Sequence, residues 1–118
     1  MKLTLETIFN GHKALGALAQ KDLSITTSFK VAKLIKAVDA ELETFNAQRT
    51  KILESVGATL NEDGTQYNIP EDKRLEFANK LNELLSIEVE VPDKLDISHE
   101  NISIAPGLLL DLDPFIIM

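Results

Sequence analysis

The chain has no cysteine and no tryptophan, a single tyrosine, and aromatic residues at only 5%. Without cysteine there is no disulfide, no thiolate nucleophile and no cysteine-ligated metal. That absence is compatible with any compartment and consistent with the cytosol. With so few rings, a core must be built mostly from Leu, Ile, Val and Ala. Long apolar runs are missing too, and nothing approaches the ~20 residues of a membrane span. The most apolar segment, Leu108-Leu109-Leu110-Asp111-Leu112-Asp113-Pro114-Phe115-Ile116-Ile117-Met118, is short and broken by two Asp. The stretch Met1-Lys2-Leu3-Thr4-Leu5-Glu6 carries one basic residue and no unbroken apolar run, so it is not read as a signal peptide. Positive charge is in the minority: 12 Lys and Arg against 19 Asp and Glu, a net charge of −7. Contacts to a phosphate backbone need Lys and Arg, so this balance argues against nucleic acid.

What is present is ordinary for a folded globular protein, with 44% hydrophobic and 26% charged residues. A length of 118 residues fits one domain, 1–118, helical with a small C-terminal β/loop extension. Residues 3–19 read as a first helix, with Leu3, Ile8, Ala14, Leu15 and Leu18 supplying apolar positions. Gly11 and Gly16 each weaken it by about 1 kcal/mol relative to Ala. The small residues Ala14, Gly16 and Ala17 would let another helix lie close. Lys21-Asp22-Leu23-Ser24 reads as the connection.

Thr26, Thr27 or Ser28 is then suited to cap a second helix that runs to Val56 with neither Gly nor Pro. Val31, Ile35, Val38, Leu42, Phe45, Arg49, Ile52 and Val56 are spaced 4-3-4-3-4-3-4, a heptad seam. Phe29, Ala32, Leu34 and Leu53 widen the apolar stripe, so the helix is expected to meet more than one neighbour. Roughly thirty residues reach about 45 Å, more than a compact domain of this size needs. That excess length predicts self-association, most simply a symmetric dimer. Lys30, Lys33 and Lys36, followed at once by Asp39, Glu41 and Glu43, read as a solvated face.

Gly57 suits a left-handed helix end. Asn61-Glu62-Asp63-Gly64 marks a turn, and Thr65-Gln66-Tyr67-Asn68-Ile69 an extended segment. Asn68-Ile69-Pro70-Glu71 starts a third helix, with Pro at its first position and acid in its first turn. Its apolar face is Leu75, Ala78, Leu81, Leu84 and Leu85, with Phe77 flanking, and it should pack antiparallel on the second helix. Glu88-Val89-Glu90-Val91 alternates as a strand does and stops at Pro92. Ile102-Ser103-Ile104 is a second short strand candidate, and both are expected to pair with Tyr67-Asn68-Ile69. Residues 105–112 read as one last helical turn, ended by Asp113-Pro114. The fold expected is therefore mainly α with some β (α+β): a long antiparallel helical hairpin, a short N-terminal helix, and a minor two- or three-stranded β element.

Several phrases taken in order resemble a known family. Val31-Ala32-Lys33-Leu34-Ile35-Lys36 leads into Glu41-Leu42-Glu43-Thr44-Phe45-Asn46-Ala47-Gln48-Arg49 and then Ile52-Leu53-Glu54-Ser55-Val56-Gly57. After the Asn61-Glu62-Asp63-Gly64 turn come Leu84-Leu85-Ser86-Ile87-Glu88-Val89-Glu90-Val91 and Leu112-Asp113-Pro114-Phe115-Ile116. From about Ala32 onward this order is similar to short, uncharacterised proteins of tailed phages and prophages of Gram-positive bacteria. The resemblance implies an accessory protein that acts in the host cytoplasm or in particle assembly, there as part of the virion. It carries no assigned activity, so no catalytic residue comes with it.

Searches for chemistry within the sequence return little. His12 and His99 fall in different elements, and a catalytic or metal role would need acids gathered around them. His99-Glu100 beside Asp96 is a weak candidate on a loop. Asn61-Glu62-Asp63-Gly64 lacks the glycine and glutamate positions of a calcium loop. No phosphate-binding glycine loop, nucleophile elbow or Ser/His/Asp order is present. The expectation is a non-enzyme with no catalytic, metal-binding or cofactor-binding residue and no cofactor. Its partner is a protein, of phage or host, and not a membrane. Arg49 interrupts the apolar seam, either to fix a partner or register against Glu76 or Glu83, or with its stem packed and its head in water. The tail residues Leu108, Leu109, Leu112, Phe115 and Ile116, with Leu110 and Ile117, either fold back over the helices or meet a partner. Arg49 and those five tail residues are the candidate interaction residues. Two roles follow: a phage assembly accessory, or an acidic inhibitor that occupies a basic surface of a host defence protein.

Overall fold

The computed structural model describes residues 1–117; Met118, the last residue of the apolar tail, lies outside them. In chain order the elements are β1 (Lys2–Thr4), α1 (Leu5–Ala19), α2 (Ile25–Ser55), β2 (Thr59–Leu60), β3 (Tyr67–Asn68), α3 (Arg74–Leu85), β4 (Glu88–Glu90), β5 (Leu95–Asp96), α4 (Pro106–Leu112) and β6 (Ile116–Ile117). The mainly helical fold expected from the sequence, with minor β structure, is the one observed.

Local chemistry sets the boundaries. Thr4 Oγ1 accepts a hydrogen bond from the Thr7 amide at 3.2 Å, so α1 starts at Leu5 and Leu3 belongs to a strand instead. α2 starts earlier than Thr26 to Ser28 would place it. Ser24, read as part of the connection, is its cap and accepts from the Thr27 amide at 3.4 Å. At the other end Gly57 takes φ +74°, the left-handed conformation foreseen for it. Its amide donates to Glu54 O at 3.1 Å and that of Ala58 to Leu53 O at 3.0 Å, which satisfies the last carbonyls. In the turn that follows, Asn61 O accepts from the Gly64 amide and Asn61 Oδ1 from the Thr65 amide, both at 3.0 Å.

The heptad seam behaves as its spacing requires. Val31, Val38, Leu42, Phe45 and Val56 are buried, while Ile35, Arg49 and Ile52 are half-buried. Of the residues expected to widen it, Leu34 and Leu53 are buried; Phe29 and Ala32 face solvent. α1 lies on the first half of α2, and α4 with the chain that follows closes over α1. Ile8, Leu15, Leu18, Leu34, Leu112 and Phe115 are the centre of that core. A second, smaller cluster joins Leu5, Phe45 and Leu84. α3 returns antiparallel along α2: Lys80 Nζ reaches Ser55 Oγ at 3.2 Å, while Leu84 packs against Phe45.

That register explains a departure from expectation on α3. Leu75 is 74% exposed, and Ala78 is exposed as well, although both sit on the intended apolar face. Because Lys80 already lies beside the last residue of α2, the first turn of α3 overshoots the end of its partner helix. The result is an arm. The molecule measures 52 × 29 × 22 Å with a radius of gyration of 17.1 Å, against ~13.5 Å for a compact domain of this length.

The β structure differs in pairing from the expectation. It is three separate two-stranded sheets: β1–β4 and β2–β3 antiparallel, β5–β6 parallel. Glu88–Glu90 is a strand as its alternation suggested, but it pairs with Lys2–Thr4. Tyr67–Asn68 pairs locally with Thr59–Leu60. Ile102, Ser103 and Ile104 form no strand; the two isoleucines are half-buried and pack on the core.

Candidate interaction surface

The apolar tail folds back. Leu112 and Phe115 are 0% exposed and Ile116 is 6% exposed, while Leu108 and Leu109 are half-buried against the same cluster. The tail therefore completes the core, and its outward apolar groups are Leu110 and Ile117. The fit is tight at one point. A Cβ built on Gly11 of α1 would overlap the Phe115 ring and lie 3.0 Å from Asp111 O. Of the small residues expected to admit a neighbour, Ala14 is buried in the core and Ala17 half-buried, while Gly16 has open space around it.

Arg49 sits between the two readings given for it. It is half-buried, with its guanidinium carbon 5.9 Å from the Phe45 ring centroid. Among the described residues no ion pair joins it to Glu76 or Glu83; Glu76 is held by Lys73 and Lys80, each at 3.5 Å. Packing of the stem, with cation–π attraction, accounts for its place in the seam.

The loop acids near His99 serve structure. Asp96 Oδ1 accepts from the Ser98 amide at 3.0 Å and from Ser98 Oγ at 2.6 Å, and these bonds hold its carboxyl below the usual range. Glu100, whose side chain is only 7% exposed, takes hydrogen bonds from Ser24 Oγ at 2.7 Å and the Ser24 amide at 3.2 Å. Those bonds, with one from Thr27, lower its pKa, a negative charge being favoured at a helix N-terminus. Thr27, the one buried polar residue among those described, contacts His99 Nε2 at 3.4 Å. The cluster is a latch that ties the C-terminal third of the chain to the start of α2. Among the described residues no group of three or more His, Asp or Glu is placed to hold a metal ion. No described helix is long and apolar enough to cross a membrane.

What the structure leaves outside is instructive. Leu60 is 54% exposed, Tyr67 41% and Leu75 74%; Leu60 and Tyr67 are cross-strand partners in the hairpin between α2 and α3. At the opposite end of α2, Ile25 and Phe29 are 88% and 64% exposed. Beside them a groove of about 650 Å³ runs along α2, floored by Leu23, Val31, Ala32 and Ile35 and edged by Lys36 and Glu43. Sequence reasoning missed these surfaces because it assigned Phe29, Ala32 and Leu75 to the interior. In comparisons with known proteins, no family model, no curated protein and no solved structure matches the chain.

Proposed function

We propose that the chain is a non-enzymatic accessory protein of a tailed phage or prophage that acts, as a dimer, by binding another protein during particle assembly. The single observation that carries the binding reading is the arm. A long helix projects a hairpin away from the main core and leaves Leu60, Tyr67 and Leu75 in water at its end. Leu60 and Tyr67 are cross-strand neighbours, so they form a joint exposed apolar surface on the projecting element, of the kind that partners cover. The phage setting, in the host cytoplasm or on the virion, rests on the resemblance of Val31 and the phrases after it to phage and prophage proteins. Assembly is favoured over inhibition by charge distribution. On α2 the acids Asp39, Glu41 and Glu43 are confined to little more than one turn between Lys36 and Arg49, and on α3 Glu76 is held by Lys73 and Lys80, so neither helix offers along its length the negative surface that would imitate nucleic acid.

Affinity capture of the tagged chain from phage-infected cells, with mass spectrometry of what is bound, tests this directly. Recovery of a tail or capsid protein supports it. Recovery of a host nuclease or other defence protein overturns the assembly reading in favour of an acidic inhibitor.

A further inference from the structure

Charge on α2 is segregated. Its first twelve residues, 25–36, carry Lys30, Lys33 and Lys36 with no acid, and its middle carries Asp39, Glu41 and Glu43 with no base. Among the described residues the side-chain ion pairs are Lys73–Glu76 and Lys80–Glu76, with His99 Nε2 3.7 Å from Glu100, so none of Lys30, Lys33, Lys36, Asp39, Glu41 and Glu43 forms an ion pair within the chain. The face that bears Lys36 and Glu43 also bears Ile25, Phe29, Ala32, Asp39, Ala40, Ala47 and Thr50, all exposed. Their spacing places them on one side of the helix, turned away from the buried seam. This side runs from exposed apolar side chains, through Lys36, to the acids Asp39 and Glu43, with alanines at Ala32, Ala40 and Ala47.

From this we infer that a second copy of the chain docks here, α2 against α2, antiparallel about a two-fold axis between Asp39 and Ala40. The inference rests on the dimer reading above and gives it a location. In this register Lys36 faces the partner's Glu43, and Ala32 faces the partner's Ala47. Phe29 falls on the partner's Thr50, and Ile25 on the stem of the partner's Glu54. The two-fold repeats each contact, so the pairing of Lys36 with the partner's Glu43 forms twice. A parallel pairing would set Lys36 against Lys36 and Glu43 against Glu43. Ala40 at the crossing meets the partner's Ala40 and allows the axes to approach to about 8 Å, while Asp39 comes beside the partner's Asp39, one like-charge contact against two opposite-charge pairs. The groove floored by Leu23, Val31 and Ile35 flanks the seam and takes partner side chains. A strip about 45 Å long and one helix wide buries on the order of 1,000 Å² in total. That is the low end for specific interfaces, so association should be reversible and depend on concentration and salt.

The test uses the full chain and sedimentation equilibrium over a wide concentration range, with circular dichroism to confirm folding. Wild type should form a dimer that weakens as salt rises. Lys36→Glu and Glu43→Lys should each weaken it by about tenfold or more, since two ion pairs turn repulsive. Mixing the two variants should restore association, because each Glu then meets a Lys on the other chain. Since the chain has no cysteine of its own, Ala40→Cys should cross-link with itself through a short bismaleimide. Ala32→Cys should not, but should cross-link when mixed with Ala47→Cys. A dimer that ignores both charge reversals, or cross-links through Ala32→Cys alone, overturns this surface while leaving self-association in place. A monomer at every concentration overturns both, and leaves the α2 face open for another protein's helix.

Discussion

Replacing Gly11 and Gly16 by alanine, one at a time, should move stability in opposite directions. Both lie inside α1, where alanine is favoured over glycine by roughly 1 kcal/mol on helix propensity alone. Around Gly16 there is nothing within 4 Å for a methyl group to meet, so Gly16→Ala should stabilise by about 0.5–1 kcal/mol. At Gly11 the same methyl overlaps the Phe115 ring and presses on the Asp111 carbonyl at 3.0 Å. Phe115 is fully buried and the carbonyl is backbone, so neither yields cheaply. Overpacking of this kind costs about 1–3 kcal/mol and the upper half of that range applies, which leaves a net loss of about 1–2 kcal/mol after the propensity gain. For a chain of this length 1 kcal/mol corresponds to about 4 °C in Tm. Thermal and urea unfolding followed by circular dichroism should therefore separate the two variants by roughly 6–12 °C. A double-mutant cycle sharpens the point: Phe115→Leu should cost less in the Gly11→Ala background than alone, because it relieves the overlap. Equal shifts of the same sign for both glycines, or strict additivity in the cycle, would refute the packing of the tail on α1.

Phe115→Ala removes a ring that is 0% exposed, and should cost about 3–5 kcal/mol in urea titration. Gly57 sits at φ +74° with open space around it, so Gly57→Ala should cost about 1 kcal/mol through backbone strain alone. The Glu100 carboxyl is held below its ordinary 4.5 by the Ser24 hydrogen bonds. A depressed folded pKa contributes stability above the unfolded value and loses it as pH falls through the folded one. Glu100→Gln should accordingly lower stability at neutral pH and flatten the loss seen below pH 4.5, as read from acid titrations of both chains.

Some of this was legible from sequence and some was not, for identifiable reasons. The 4-3 spacing from Val31 to Val56 announced the buried side of α2, because a helix repeats its faces locally and needs no partner to do so. Gly57 and the Asn61-Glu62-Asp63-Gly64 turn were legible for the same reason. Long-range pairing was not. Glu88-Val89-Glu90 looks like a strand from its alternation, yet nothing local says that its partner is Lys2–Thr4, at the other end of the chain. The cap of α2 was misplaced because Ser24, Thr26, Thr27 and Ser28 are all good caps; Glu100, which selects Ser24, is distant in sequence. Leu75 and Ala78 carry the right periodicity for burial, but where α2 ends relative to α3 is a matter of register. That offset turns two expected core residues into surface and produces the arm. The charge segregation on α2 was visible from the start as a run of lysines followed by acids. It gains meaning beyond a solvated face because, among the described residues, none of these lysines and acids pairs within the chain.

The binding role of the arm is open to direct measurement with the protein recovered by capture. Its affinity for wild type and for a Leu60→Ser/Leu75→Ser variant should be compared by calorimetry. Both side chains are exposed, so the variant should unfold at nearly the same temperature as wild type while losing at least tenfold in affinity. Unchanged affinity in an equally stable variant would contradict the arm as the site of binding.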